Sequence, residues 1–154
     1  MIQRIQTIYL FLSVLSISAI FFLPLAQIMG YSEEIFLKST GLYTSGGEKI
    51  ENALPISILL ALEIIFTLVI IFLYKKRNRQ MMLGKLNLLI LTLLIAVIFF
   101  YGDHARSLSG LSNDSLVNYK FACLLPVFSI ILNYLAIRAI NKDEDLVRAS
   151  ERLR

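Results

Sequence analysis

The sequence is poor in the side chains that do most protein chemistry. It has one histidine, His104, one cysteine, Cys123, no tryptophan and three prolines in 154 residues. A lone histidine cannot supply the His/Cys ligand set that a zinc site requires. A lone cysteine cannot close an intrachain disulfide, and no HExxH, GxSxG or P-loop pattern is present. Nor do several polar residues gather beside one interface, as activating a nucleophile or holding a phosphate demands. The sequence therefore implies no cofactor and no metal, and the expectation is a protein that is not an enzyme.

What the chain has in abundance is apolar surface. Hydrophobic residues make up 57% of it, the mean hydropathy is +0.73, and the apolar residues fall in blocks. A run of ~20 residues is needed to cross a hydrocarbon core about 30 Å thick. Four stretches qualify, approximately 5–26, 53–74, 83–101 and 120–140. The fold class predicted is an all-α membrane protein, a four-transmembrane-helix bundle forming one domain over 1–154, with 141–154 as a helical tail. The first stretch reads as a spanning helix and not a signal peptide, because no A-x-A-like cleavage pattern follows it around LPLAQIMG.

Charge sets the expected orientation. Lys and Arg concentrate in cytoplasmic loops, and here Arg4, Lys75, Lys76, Arg77, Arg79, Lys85, Arg138, Lys142, Arg148, Arg152 and Arg154 all fall on one side of the four stretches. The other side carries only Lys38, Lys49, Arg106 and Lys120, diluted by Glu33, Glu34, Glu48, Glu51, Asp103 and Asp114. Both termini are expected in the cytoplasm. The net charge of +4 hugs membrane ends instead of striping a soluble face, so anionic lipid headgroups are the expected partners and nucleic acid is not. In the first outer loop, 27–52, the stretches EIFLKST and GLYT with SGG as turn material suggest a small β-hairpin leaning on the second outer loop.

The spans carry few polar residues, and their spacing is informative. Gln6, Tyr9, Ser13 and Ser16 recur at 3-4-3 spacing, as do Ala122, Pro126, Ser129, Asn133 and Ala136 at 4-3-4-3. Such small or polar seams belong at helix contacts. Glu63 stands near the centre of the second run, on one face with Ile56, Leu60, Thr67 and Ile70. Counted at ~1.5 Å per residue from the basic ends, Ser16, Glu63 and Ser129 lie about 16 Å in, Thr92 about 14 Å and Asn133 about 10 Å. These five residues form the candidate intramembrane polar layer. A charged carboxylate facing lipid costs at least ~2.5–3.5 kcal/mol, so Glu63 is expected to face inward and to be protonated or paired. The tail NKDEDLVRASERLR carries a thin apolar stripe, Leu146, Ala149 and Leu153, that suggests a docking face.

The opening MIQRIQTIYLFL, the LGKLNLLI that follows the basic link, and the closing INKDEDLVRASERLR together resemble an uncharacterised family of small four-helix inner-membrane proteins of Bacteroidota, known as a domain of unknown function. That resemblance implies a bacterial cytoplasmic membrane and four spans, and brings no activity or ligand. The function expected is a non-enzymatic membrane protein, an accessory, scaffold or assembly subunit that meets a membrane-protein partner or further copies of itself. The alternative is a small proton-coupled transporter or carrier using Glu63.

Overall fold

A computed structural model describes residues 3–29, 34–74, 76–108 and 117–152, with the side chains of residues 3, 4 and 147–152 left out. Four helices and five strands follow in the order α1 (Gln3–Ala19), β1 (Ala26–Met29), β2 (Glu34–Lys38), β3 (Gly41–Thr44), β4 (Lys49–Asn52), α2 (Leu54–Phe72), α3 (Arg77–Leu108), β5 (Val117–Tyr119) and α4 (Leu125–Arg152). A short 3-10 turn, Phe121–Leu124, leads into α4. The strands form one antiparallel sheet in the order β4-β3-β2-β1-β5.

The expected all-α, four-transmembrane-helix bundle is therefore corrected in two respects. A five-stranded sheet stands where at most a hairpin was foreseen, and among the described residues three helical stretches, not four, are long and apolar enough to cross a membrane: Leu54–Phe72, Arg77–Leu108 and Phe121–Leu146. Both corrections have one cause. The apolar run that begins at Ile5 does not stay helical to residue 26. The chain tightens at the end of α1 through i→i+3 bonds from Ile20, Phe21 and Phe22 to Ile17, Ser18 and Ala19, and Pro24 cannot donate to a continuing ladder. Ala26 and Ile28, apolar enough to read as membrane span, are instead the fully buried inward face of β1, and Leu25 just before it is fully buried too. Short apolar runs carry no periodicity that separates a buried strand from a helix end.

β1 pairs on one side with β2, from Ala26↔Leu37 to Met29↔Glu34. On its other side it pairs with β5, from Ala26↔Tyr119 to Ile28↔Val117. The foreseen EIFLKST–GLYT hairpin is present as β2–β3, closed through Lys38↔Gly41, and Gly47, at φ 83°, sits in the turn between β3 and β4. The sheet's inner face, Ala26, Ile28, Ile35, Leu37 and Leu42, shares one apolar core with Ile17, Ile20, Ile56, Leu60, Leu91, Leu94 and Ile98 of the helices. All four helices meet the sheet at the end from which the chain enters or leaves it. The N-terminus, the link at 75–76 and the C-terminal part of α4 lie at the opposite end.

The helices pack as neighbours in a ring, α1 on α2, α2 on α3, α3 on α4 and α4 on α1. Each offers a stripe at alternating three- and four-residue spacing, the geometry that keeps one face on its neighbours. Along α3 the stripe is Gln80, Gly84, Asn87, Leu91, Leu94, Ile98, Gly102 and Ala105. The outward faces are apolar too, with Ile58 and Ile65 on α2, Leu89 and Leu93 on α3, and Val127, Ile131 and Tyr134 on α4 all exposed. Continuous apolar surface of that extent is what a bilayer, not water, accommodates. At the end away from the sheet, Gln80 donates its Nε2 to the carbonyl of Ile70 at 3.0 Å, satisfying an acceptor that the last turn of α2 leaves open. Arg77 pairs there with Asp143 at 3.1 Å and Glu144 at 3.8 Å, which fixes the start of α3 against α4.

Two glycines of α3 mark close approaches to its neighbours. A Cβ on Gly84 would stand 2.8 Å from Cγ1 of Ile137 on α4, and one on Gly102 would stand 2.7 Å from the Tyr119 hydroxyl of β5. Gly84→Ala is expected to destabilise the protein by about 1–3 kcal/mol, the range for overpacking a filled contact. Gly46→Ala, whose Cβ would meet only Thr44 at 3.6 Å, is expected to change stability by less than ~0.5 kcal/mol. Thermal melting in mild detergent compares the two, and equal losses would contradict the assigned helix crossing.

Candidate functional site

The site grows out of the helix stripes. On α2 the buried residues are Ile56, Leu60, Glu63, Thr67 and Ile70, so the face read around Glu63 is the face turned inward. α1 buries Gln6, Leu10, Ser13, Ile17 and Ile20, and α4 buries Ser129, Leu132, Asn133, Ala136 and Ile137. α3 contributes Asn87. Where these four stripes meet, their polar members form one hydrogen-bonded cluster.

Its centre is the Asn87 amide. Nδ2 of Asn87 donates to Thr67 Oγ1 at 2.9 Å and to Asn133 Oδ1 at 3.1 Å, and approaches Glu63 Oε1 at 3.4 Å. Thr67 in turn donates its hydroxyl to Glu63 Oε1 at 2.9 Å. Asn133 carries the chain of bonds onward, its Nδ2 donating to Ser13 Oγ at 2.8 Å and to the carbonyl of Ser129 at 3.0 Å. The Ser129 hydroxyl reaches the Ser13 carbonyl at 3.5 Å. One network thus joins all four helices, and Glu63, Asn87 and Asn133 are each 0% exposed.

The five residues of the sequence-derived layer divide. Glu63, Ser129 and Asn133 are brought together. Ser16 and Thr92 are not, because each bonds back to its own helix, Ser16 to Leu12 and Thr92 to Leu88, both at 2.9 Å and both exposed. The depth count placed them at the right level, but a residue's direction around the helix axis decides its company. Ser13, Thr67 and Asn87 take part without having been included. The signal for Asn87 was in the sequence: it falls on the three- and four-residue stripe running from Gln80 through Leu91, and Thr92 lies one position off it. Of the tail stripe, Leu146 is exposed, whereas the side chain of Ala149 and the whole of Leu153 lie outside the described residues.

Elsewhere the chemistry is sparse. Among the described residues no three His, Cys, Asp or Glu side chains converge as metal ligands would. Cys123 is buried and free. His104, near the end of α3, places its Nε2 3.0 Å from a Glu51 carboxylate oxygen of β4, both side chains partly exposed. That contact clips a helix end to the sheet.

Glu63 has no cation partner among the described residues, and its Oε1 accepts from two neutral donors. An unpaired ionised carboxylate in an apolar interior costs far more than a protonated one, so the carboxyl is expected to be neutral at pH 7. Its C=O stretch should appear in the infrared as that of a protonated acid, and an ionised signature would overturn the assignment. Glu63→Gln keeps an acceptor for Thr67 and is expected to cost no more than ~1 kcal/mol. Glu63→Lys is expected to abolish folding, since it forces a cation among donors and apolar walls. Asn87→Leu removes three contacts at once and should cost more than Ser16→Ala or Thr92→Val, both near zero.

No curated protein matches the chain. The model of a family described only as a domain of unknown function, DUF4293, does match it, over residues 2–153, and the chain belongs to that family.

Proposed function

We propose that this protein is a non-enzymatic integral membrane protein of the bacterial cytoplasmic membrane, an accessory, scaffold or assembly subunit whose basic end and both termini face the cytoplasm. One observation carries the reading. Most of the polar groups that could do chemistry bond to one another, at the junction of four helices and out of reach of solvent. Such a cluster fixes how helices pack, and conformational specificity is the best-attested use of a buried polar network.

The orientation rests on charge. The end away from the sheet carries Lys76, Arg77, Arg79 and Lys142, and the positive-inside bias assigns that end to the cytoplasm, in contact with anionic headgroups. The sheet then lies on the periplasmic side. A membrane-protein partner or a second copy would meet the protein at its cytoplasmic end, where α4 continues to Arg152 with Leu146 exposed.

A second reading, a proton-coupled carrier working through Glu63, is favoured by two atoms. Glu63 Oε2 and Asn87 Oδ1 are buried and have no hydrogen-bond partner among the described residues. An acid with a spare oxygen beside a spare acceptor is a plausible start for a proton path.

Reporter fusions test the orientation, with a periplasm-active reporter expected to work in the Gly46–Gly47 turn and to fail after Arg154. Co-purification in mild detergent tests the role: a stoichiometric partner retained by the full chain, and lost on truncation after Asp145, supports the subunit reading. That truncation keeps the Arg77 pairs to Asp143 and Glu144, so the protein should still reach the membrane. A partnerless protein that carries out proton-dependent flux, abolished by Glu63→Gln with the fold intact, would replace the subunit reading with the carrier.

A further inference from the structure

Between α1 and the end of α2 the outer surface opens into an apolar groove of about 720 Å³. Its walls include Ile8, Phe11 and Leu15 of α1 and Phe72 of α2, all exposed. Its floor includes two amides, Gln6 and Gln80. Gln80 has committed its Nε2 to the Ile70 carbonyl. Gln6 has not: the residue is only 5% exposed, and its Nε2 is buried without a hydrogen-bond partner. A buried unsatisfied amide costs about 1–3 kcal/mol, and in hydrocarbon no water can relieve it. Gln6 thus lines a mostly apolar slot with a donor that the described residues leave unpaired.

We infer that this groove is a binding site for one anionic diacyl phospholipid, with an acyl chain lying along α1 and an ester carbonyl accepting a hydrogen bond from Gln6 Nε2. Position selects this occupant. Gln6 is the fourth residue of α1, about 4.5 Å from its start at ~1.5 Å per residue, which is the level of the ester linkages and not of the acyl tails. The groove continues inward from there to Leu15, about 13.5 Å deeper by the same rise. At its outer end stands Tyr74, half-exposed, an amphipathic ring of the kind that sits at headgroup level. Just beyond Tyr74 in the chain, Lys76 and Arg79 are exposed, and cations there favour a negative headgroup. Walls, donor and charge are thus stacked in the order of a phospholipid's own parts. The inference deepens the lipid contact proposed above and rests on the helices lying in a bilayer.

The test is native mass spectrometry of the full chain released from mild detergent, titrated with three probes: diester phosphatidylglycerol, its diether analogue, which keeps the charge but lacks both carbonyls, and diester phosphatidylcholine. The wild-type protein should retain the diester phosphatidylglycerol, hold its diether analogue roughly five- to tenfold more weakly, the ratio that one neutral hydrogen bond is worth, and hold phosphatidylcholine more weakly because its zwitterionic headgroup gains less from the nearby cations. Gln6→Leu should bring the diester anionic lipid down to the diether's level, while lipid-free melting stays unchanged or rises, because the substitution removes a buried donor that has no partner. A Gln6 that served packing alone would instead lower that melting temperature. Equal retention of the three probes by the wild type overturns the site, as does undiminished phosphatidylglycerol binding by Gln6→Leu. A second protein copy in place of lipid, displaced by Gln6→Leu, also overturns it and makes the groove a self-association face. Reporter fusions report separately on the bilayer: if they hold and the titration fails, only the groove assignment falls.

Discussion

One amide ties the helical layer together. The Asn87 side chain reaches Thr67 on α2 and Asn133 on α4 from its place on α3, and Asn133 passes the connection to Ser13 on α1. In water such bonds compete with solvent and contribute little. Inside an apolar layer the same groups have no other partner, so a helix that rotates or slides out of register strands a polar group. Apolar packing would tolerate several rotations of four similar stripes. The polar cluster tolerates one. The close crossing at Gly84 against Ile137 lies on the same α3 stripe, one turn toward the basic end, and depends on that rotation being held.

The sheet extends this control beyond the helices. Its inward residues share a core with the ends of α1, α2 and α3, so the helix ends are spaced by strand pairing as well as by loops. Toward the opposite end a smaller apolar cluster, Leu10, Ile70 and Ala136, is joined by point contacts: the Gln80 amide on the Ile70 carbonyl and Arg77 between Asp143 and Glu144. Partly exposed ion pairs of this kind are each worth only up to ~1 kcal/mol. The sheet thus adds a second layer at one end of the helices, and the open groove and the exposed Leu146 lie toward the other.

How much of this the sequence disclosed follows from the kind of signal involved. Spacing made the helix faces legible on α2 and α4: Ile56, Leu60, Glu63, Thr67 and Ile70 are the buried face of α2, and Ala122, Pro126, Ser129, Asn133 and Ala136 are all buried. Thr92, chosen on depth, failed because depth fixes height and leaves direction free, and Ser16, chosen on spacing as well, failed because the buried stripe of α1 runs through Leu10 and Ile17, one position away from Tyr9 and Ser16. Strand β1 was illegible for a different reason. Leu25 to Ile28 is hydrophobic because it is covered by helices on one face, and hydrophobicity does not say whether lipid or protein does the covering. β5, three residues long, exists through its pairing with β1, a partner on the far side of two helices in the chain. A tertiary constraint of that kind leaves no local trace.

That pairing also sets an order of events in biosynthesis. β1 lies between β2 and β5, so one of its edges stays open after the first three hairpin-linked neighbours have formed. Its closing partner leaves the ribosome roughly 90 residues later, on the order of 5–20 s at ordinary synthesis rates. Throughout that interval α2 and α3 are made and inserted while the sheet remains unfinished, presenting unpaired N–H and C=O groups along β1. The last quarter of the chain is thus the step that seals the first, and a nascent chain stalled before residue 117 is an open-edged intermediate suited to capture by folding factors.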